Sequence, residues 1–291
     1  MRHNISYQDI TTENGFLLSR NQYDKFGRCI FEFWVKSEDC VYKLLVTDQK
    51  PTCFALAKHQ TQIATVIAAN ALACEVKEIS LNSFKSEPCI AIYSKSLRDY
   101  QTLKRVVNTY QIELLEHDIK PVDRFLMERF IKGEMKFSGH VTEQCYQYSE
   151  STFVELTDVQ VTSNQSDISL TTLSIDIECD ESGYLYSIGL YSDNLFDGIV
   201  YQKVLYNAEG VDDSLKADVC VSHEFIDWYE NEAALFNKFV ELVNVLNPDV
   251  LIGWNVVKFD IRVLTNASKR LNVAFSIGRD GSELRFIDGT R

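Results

Sequence analysis

The chain has no apolar run approaching the length of a membrane span, and its start, Met1-Arg2-His3-Asn4-Ile5, lacks the apolar core of a secretory signal. A cytoplasmic protein with no membrane partner is therefore expected. Internal repeats and low-complexity tracts are lacking too, which excludes a repeat array. None of the eight cysteines, at 29, 40, 53, 74, 89, 145, 179 and 220, stands in a CxxC pair or at zinc-finger spacing from the five histidines. Reduced thiols are the expectation, since a chain of 291 residues needs no disulfide staples. Positive charge is scarce in one place above all. Residues 151–250 carry three Lys and Arg against 19 Asp and Glu, whereas residues 1–150 carry 19 of each and residues 251–291 carry seven against four. On charge alone, a protein of net charge -13 is a poor partner for phosphate.

What is present suits two packed domains, with 45% hydrophobic residues. The polar stretch Thr162-Ser163-Asn164-Gln165-Ser166-Asp167 reads as a linker, dividing the chain into residues 1–165 and 166–291. The first part opens strand-rich, at Cys29–Lys36 and Val41–Thr47. It continues as strand Thr52–Leu56, helix Gln60–Leu72, strands Cys74–Ile79 and Cys89–Tyr93, helix Ser96–Tyr110 and strand Ile112–Leu115. That order is βαββαβ, the ferredoxin-like unit, which many unrelated proteins use. Pro121 is placed to open a short helix, and Arg124, Arg129 and Lys132 read as its solvated basic face.

The second part reads as an α/β layer. Thr171–Glu178 and Tyr184–Tyr191 form a hairpin, Ile199–Leu205 a third strand and Asp218–Ser222 a short one. Helix Asn231–Leu246, strand Asp249–Gly253 and helix Lys258–Arg270 follow. Alternation along the first strand puts Asp176 and Glu178 on one face, with Ile175 and Ile177 on the other. Two adjacent carboxylates repel and resist burial, so they mark either a solvated strand end or a site for a hard divalent cation. Asp260 falls in the first turn of the last helix, where the helix dipole by itself favours a carboxylate. Asn255, just before it, suits a cap or turn as well as a ligand contact. Phe259 reads as core, as do Tyr184 and Tyr186.

Asp176-x-Glu178 followed by Asn255-x-x-x-Phe259-Asp260 resembles the first two exonuclease motifs of the family B DNA polymerases. Glu116-His117-Asp118-Ile119 and Arg124-Phe125-Leu126 are similar to the segment preceding that domain. The resemblance implies an amino-terminal, ferredoxin-like domain followed by an RNase H-like (DEDD) 3'-5' exonuclease domain. It also implies a proofreading role in a DNA-directed DNA polymerase. Asp176, Glu178 and Asp260 would be the catalytic, metal-binding carboxylates for two Mg2+ or Mn2+ ions, and Asn255 would contact substrate. Implied partners are DNA, as primer-template with a single-stranded 3' end, and, through regions beyond these motifs, nucleotides and a sliding clamp. The family's third motif, Tyr-x-x-x-Asp, has no match after Asp260, since Leu284 stands four residues before Asp288. The expectation is a piece cut before that motif, weak or inactive alone. Two alternatives stay open: a stand-alone DEDD exonuclease, or a non-catalytic interaction module with a decayed nuclease fold.

Overall fold

The computed structural model describes residues 10–38, 40–148, 151–214 and 223–284. It forms two compact units, one from residues up to Cys145 with Val154–Ile168, the other from Ser169 onward with Tyr146–Phe153.

The first unit begins with β1 (Ile10–Lys25), β2 (Arg28–Lys36) and β3 (Val41–Val46). With β8 (Glu134–Tyr148) and β9 (Ser151–Ser163) they close a five-stranded barrel in the order β1-β2-β3-β9-β8. Sequence reading placed only β2 and β3. It missed β8 and β9, whose inward residues Met135, Phe137, Leu156, Val159 and Val161 alternate with polar ones, a strand signal diluted by Glu, Gln, Ser and Thr. β9 also takes Thr162 and Ser163 from the segment read as a linker. The barrel core is packed by Phe31, Phe33 and Leu44, with Phe125 of α3 (Pro121–Met127) stacked on Phe33 at 5.5 Å. Arg124 corrects the expectation of a solvated basic face. It is 9% exposed, bonded to the Glu116 carboxylate and lying 5.1 Å over the Phe54 ring.

Between β3 and α3 the chain forms β4 (Thr52–Leu56), α1 (Gln60–Ala69), β5 (Cys74–Asn82), β6 (Pro88–Ser94), α2 (Leu97–Thr109) and β7 (Leu114–Leu115). The strands form an antiparallel sheet in the order β5-β6-β4-β7. Cys53, Ala55, Ile90 and Ile92 point to α1 and α2, which return Ile63, Val66, Tyr100, Leu103 and Val107. Ser96 caps α2, accepting a bond from the Asp99 N–H at 3.0 Å. Cys29, Cys40, Cys53, Cys74, Cys89 and Cys179 are free thiols, and burial pushes those of Cys29 and Cys53 up to about 12.

The second unit is a five-stranded sheet in the order β13-β12-β11-β10-β14. Its strands are β10 (Thr172–Cys179), β11 (Leu185–Phe196), β12 (Ile199–Asn207), β13 (Ile226–Tyr229) and β14 (Val250–Ile252). The short strand expected at Asp218–Ser222 lies outside the described residues, and β13 follows that position. β10, β11 and β12 run antiparallel as expected, while β14 joins β10 in parallel. Helices α4 (Glu232–Leu246) and α5 (Asp260–Leu271) bring Leu235, Phe236, Phe239, Ile261 and Leu264 into one core with Leu173, Ile175, Ile177, Ile188 and Leu205. The buried Glu232, at the start of α4, accepts from the Leu185 N–H at 2.8 Å and pairs with Arg270 near the end of α5. Arg279 donates to Asn247, Pro248 and Asp249, closing the turn between α4 and β14. No helix among the described residues is long and apolar enough to cross a membrane.

Candidate active site

β10 supplies the site with both side chains and backbone. Leu173, Ile175 and Ile177 are buried under the helices, so strand alternation exposes Asp176 and Glu178 on the other face. Across β11, Gly189 stands opposite Asp176 and Ser187 opposite Glu178, so no bulky side chain crowds the two carboxylates from that side.

β14 pairs with β10 only as far as Ser174 and Ile252. Beyond that point the β10 backbone on this side turns to other partners. Gly253 passes so close that a Cβ on it would lie 2.5 Å from the Ile175 carbonyl oxygen, which is why glycine stands there. The chain then turns at Asn255, whose φ of 56° is left-handed and whose carbonyl accepts from Lys258 and Phe259 at 3.1 and 3.0 Å. Asn255 is therefore a turn residue with an exposed side chain, and the cap position of α5 belongs to Phe259. This turn delivers Asp260 to β10, beside the Ile177 N–H.

Asp260 is 1% exposed, and its Oδ1 has no hydrogen-bond partner. Burial foremost, and then the charge of Asp176, raise its pKa above the usual carboxylate value, while its own amide and that of Ile177 draw it partly back. The structure thus brings Asp176 and Asp260 into electrostatic contact. Glu178 and Asp260 both act on Cys179, whose thiol is raised by burial first and then by Asp180, Glu178 and Asp260. Among the described residues no three His, Cys, Asp or Glu side chains stand close enough to form a ready metal cage. A buried carboxylate oxygen without a partner, beside a second carboxylate, is nevertheless the donor chemistry that a hard cation takes.

The raised pKa has a consequence for stability. Asp260 holds its proton more tightly folded than unfolded, so it destabilises the fold increasingly as pH climbs above 3.8 through the raised value. Asp260→Asn is expected to raise the thermal midpoint at pH 7, with a gain that vanishes below about pH 4. Melting curves of both proteins from pH 3.5 to 7.5 check this, and a gain independent of pH would contradict it.

Phe259, expected in the core, is 46% exposed, as is Tyr186 at 45%. Neighbouring Trp254 is 93% exposed and Val257 61%, so the turn carries an apolar rim. Sequence reading passed over Trp254. Its signal was position, between a glycine forced by backbone contact and the left-handed Asn255.

Residues 198–288, which hold Asn255 and Asp260, match the sequence model of the DNA polymerase family B exonuclease domain. DNA polymerase II of Escherichia coli is 26% identical over 272 residues, 94% of this chain and 32% of that protein. A DNA polymerase of Thermococcus sp. strain GE8 is 39% identical over 59 residues, 20% of this chain and 4% of that protein. The solved family B DNA polymerase of Pyrobaculum calidifontis shares the fold with a TM-score of 0.65 at 16% identity, over 93% of this chain and 34% of that one. The chain thus spans about a third of the length of E. coli DNA polymerase II. Gly278–Leu284 resembles a stretch of bacterial DNA polymerase II. With a family match over α4, β14 and α5 and a relative aligned along nearly the whole chain, the protein is similar in sequence to the family B DNA polymerases and shares the fold of one of them.

Proposed function

We propose that this chain carries the 3'-5' exonuclease site of a DNA-directed DNA polymerase and hydrolyses the terminal phosphodiester of a mispaired, single-stranded primer end. The observation that carries the reading is the meeting of Asp260, buried with a free Oδ1, and the exposed Asp176 at one strand. The sheet order β12-β11-β10-β14, with β11 antiparallel to its neighbours, supports an RNase H-like domain. The order β5-β6-β4-β7 supports a ferredoxin-like unit before it.

Asp176 would hold two Mg2+ or Mn2+ ions, Glu178 the ion on the side of the attacking water, and Asp260 the second. Bound there, such ions supply an activated water and neutralise charge on the departing 3'-oxygen. The protein's own part is placement. The β10 backbone spaces the carboxylates, the helices behind it bury Leu173, Ile175 and Ile177, and Asn255 presents its amide beside the turn for a contact to the single strand. Mn2+ is expected to raise the thermal midpoint of this chain, and Asp176→Asn to remove that rise.

The direct test incubates a 3'-labelled single-stranded oligonucleotide and Mn2+ with this chain and with a version extended through a Tyr-x-x-x-Asp segment. With three carboxylates the 291-residue chain should act at least about a hundredfold more slowly than the extended one, because placement of the water is sensitive to small errors. Equal shortening by both would favour a stand-alone nuclease, and an inert extended protein a decayed module.

A further inference from the structure

The ladder between β10 and β11 breaks immediately after Glu178. Glu178 faces Ser187 but Cys179 faces Leu185, so Tyr186 is an extra residue of β11 with no partner on β10. A bulge of this kind bends its strand, re-aims the side chains beside it and interrupts the ladder bonds that would fix the register. The direction of Glu178 thus depends on what holds Leu185 and Tyr186 in place.

Side chains from elsewhere in the unit do the holding. The Glu232 carboxylate accepts from the Leu185 N–H at 2.8 Å, and the Asn207 side chain donates to the Leu185 carbonyl at 3.1 Å. Arg270 grips Glu232 in turn. Its Nη2 donates to Oε1 at 2.7 Å, and its Nη1 donates to Oε2. The same Nη2 donates to the Gly183 carbonyl at 3.0 Å, in the turn between the two strands. The Glu232 side chain is 4% exposed, and a carboxylate so buried needs its countercharge in a fixed place. A guanidinium meets both carboxylate oxygens and a carbonyl at once with its planar fork of donors.

Arg270 stands near the far end of the helix that Asp260 begins, ten positions on and about 15 Å along its axis. Helix α5 therefore meets the β10–β11 hairpin twice. Asp260 lies beside the Ile177 N–H at one end, and Arg270 holds the turn that follows Glu178 at the other. We infer that Glu232 and Arg270 are positioning residues for the carboxylate site, holding the bulge that aims Glu178 and fixing its spacing from Asp260 through α5. The inference rests on the exonuclease reading and gives neither residue a contact with substrate.

The experiment compares two double variants, each removing both charges so that no ion is left buried alone. Glu232→Gln with Arg270→Met keeps an oxygen for the Leu185 N–H. Glu232→Met with Arg270→Met takes it away. In the protein extended through the Tyr-x-x-x-Asp segment, degradation of a 3'-labelled single-stranded oligonucleotide with Mn2+ is measured well below all melting midpoints. The second variant should turn over at least about tenfold more slowly than the parent with KM unchanged, since small misplacement of a catalytic group is costly. The first variant should recover most of that loss. In the 291-residue chain, hydrogen exchange of the Leu185 amide should be fast in the second variant and slow in the first and in the parent. A pair that only stabilises the fold would shift the midpoints and leave turnover of the folded protein alike in both variants. With an active parent, equal turnover by the two variants, or a Leu185 amide equally protected in both, would overturn the inference alone. An inactive extended parent would overturn the exonuclease reading and the inference with it.

Discussion

Replacing both Asp176 and Glu178 with Ala is expected to abolish 3'-end degradation in the extended protein, a fall on the order of a thousandfold. Both side chains are exposed and neither anchors the core, so the thermal midpoint should hold or rise as the mutual repulsion is relieved. Nucleotide incorporation by a full-length polymerase bearing the two changes should stay nearly level, because the proposed division of labour puts synthesis on other carboxylates. Single-turnover degradation of a mispaired primer and steady-state incorporation on a matched one, measured on the same preparation, decide the matter. If both rates fell together, the division would be wrong.

Gly253→Ala is expected to damage the site without touching a carboxylate. The new Cβ would meet the Ile175 carbonyl oxygen at 2.5 Å, and both atoms are tied to backbone, so β14 or β10 must give way. An overpacked contact of this kind costs about 3 kcal/mol. The second unit's thermal midpoint should fall by roughly 10 °C. Asp260 follows Gly253 by one turn, so degradation should fall as well. Gly189→Ala is the control. Its Cβ would lie an ordinary 3.7 Å from the Asp176 carbonyl oxygen, and stability should change little. Comparable melting of the two variants would mean that the close approach at Gly253 is not what holds the turn.

The elements legible in sequence were those whose burial is one-sided and strong. Helices α2 and α4 announce themselves by Leu97, Tyr100, Leu103 and Val107, and by Leu235, Phe236, Phe239 and Val243, with Ser96 and Asn231 as caps. Strand β10 shows its facing by simple alternation. The barrel was illegible for the opposite reason. Its strands β8 and β9 come from residues 134–163, far in sequence from the β1–β3 partners that bury them, and no local pattern reports such pairing. At the site, carboxylate identity was readable but burial was not. Asp260 lies at a helix start like many solvated acids, and only the fold places it against the Ile177 amide. Phe259 and Tyr186 mislead in the other direction, since an aromatic residue's type does not say whether a helix covers it.

One strand acts as the ruler for residues that are more than 80 positions apart. β10 carries two of the acids as side chains, and its backbone spaces the third, through the Ile175 carbonyl against Gly253 and the Ile177 amide against Asp260. The distances between the acids are thereby uncoupled from the length of chain joining them. The connections near Gly198 and Gly210, where no neighbouring atom would meet an added Cβ, can therefore be lengthened or shortened while the spacing of the acids stays the same. Variation in this domain should therefore concentrate in those connections, while the eight residues of β10 tolerate neither insertion nor deletion, since a one-residue slip would turn both acids into the core.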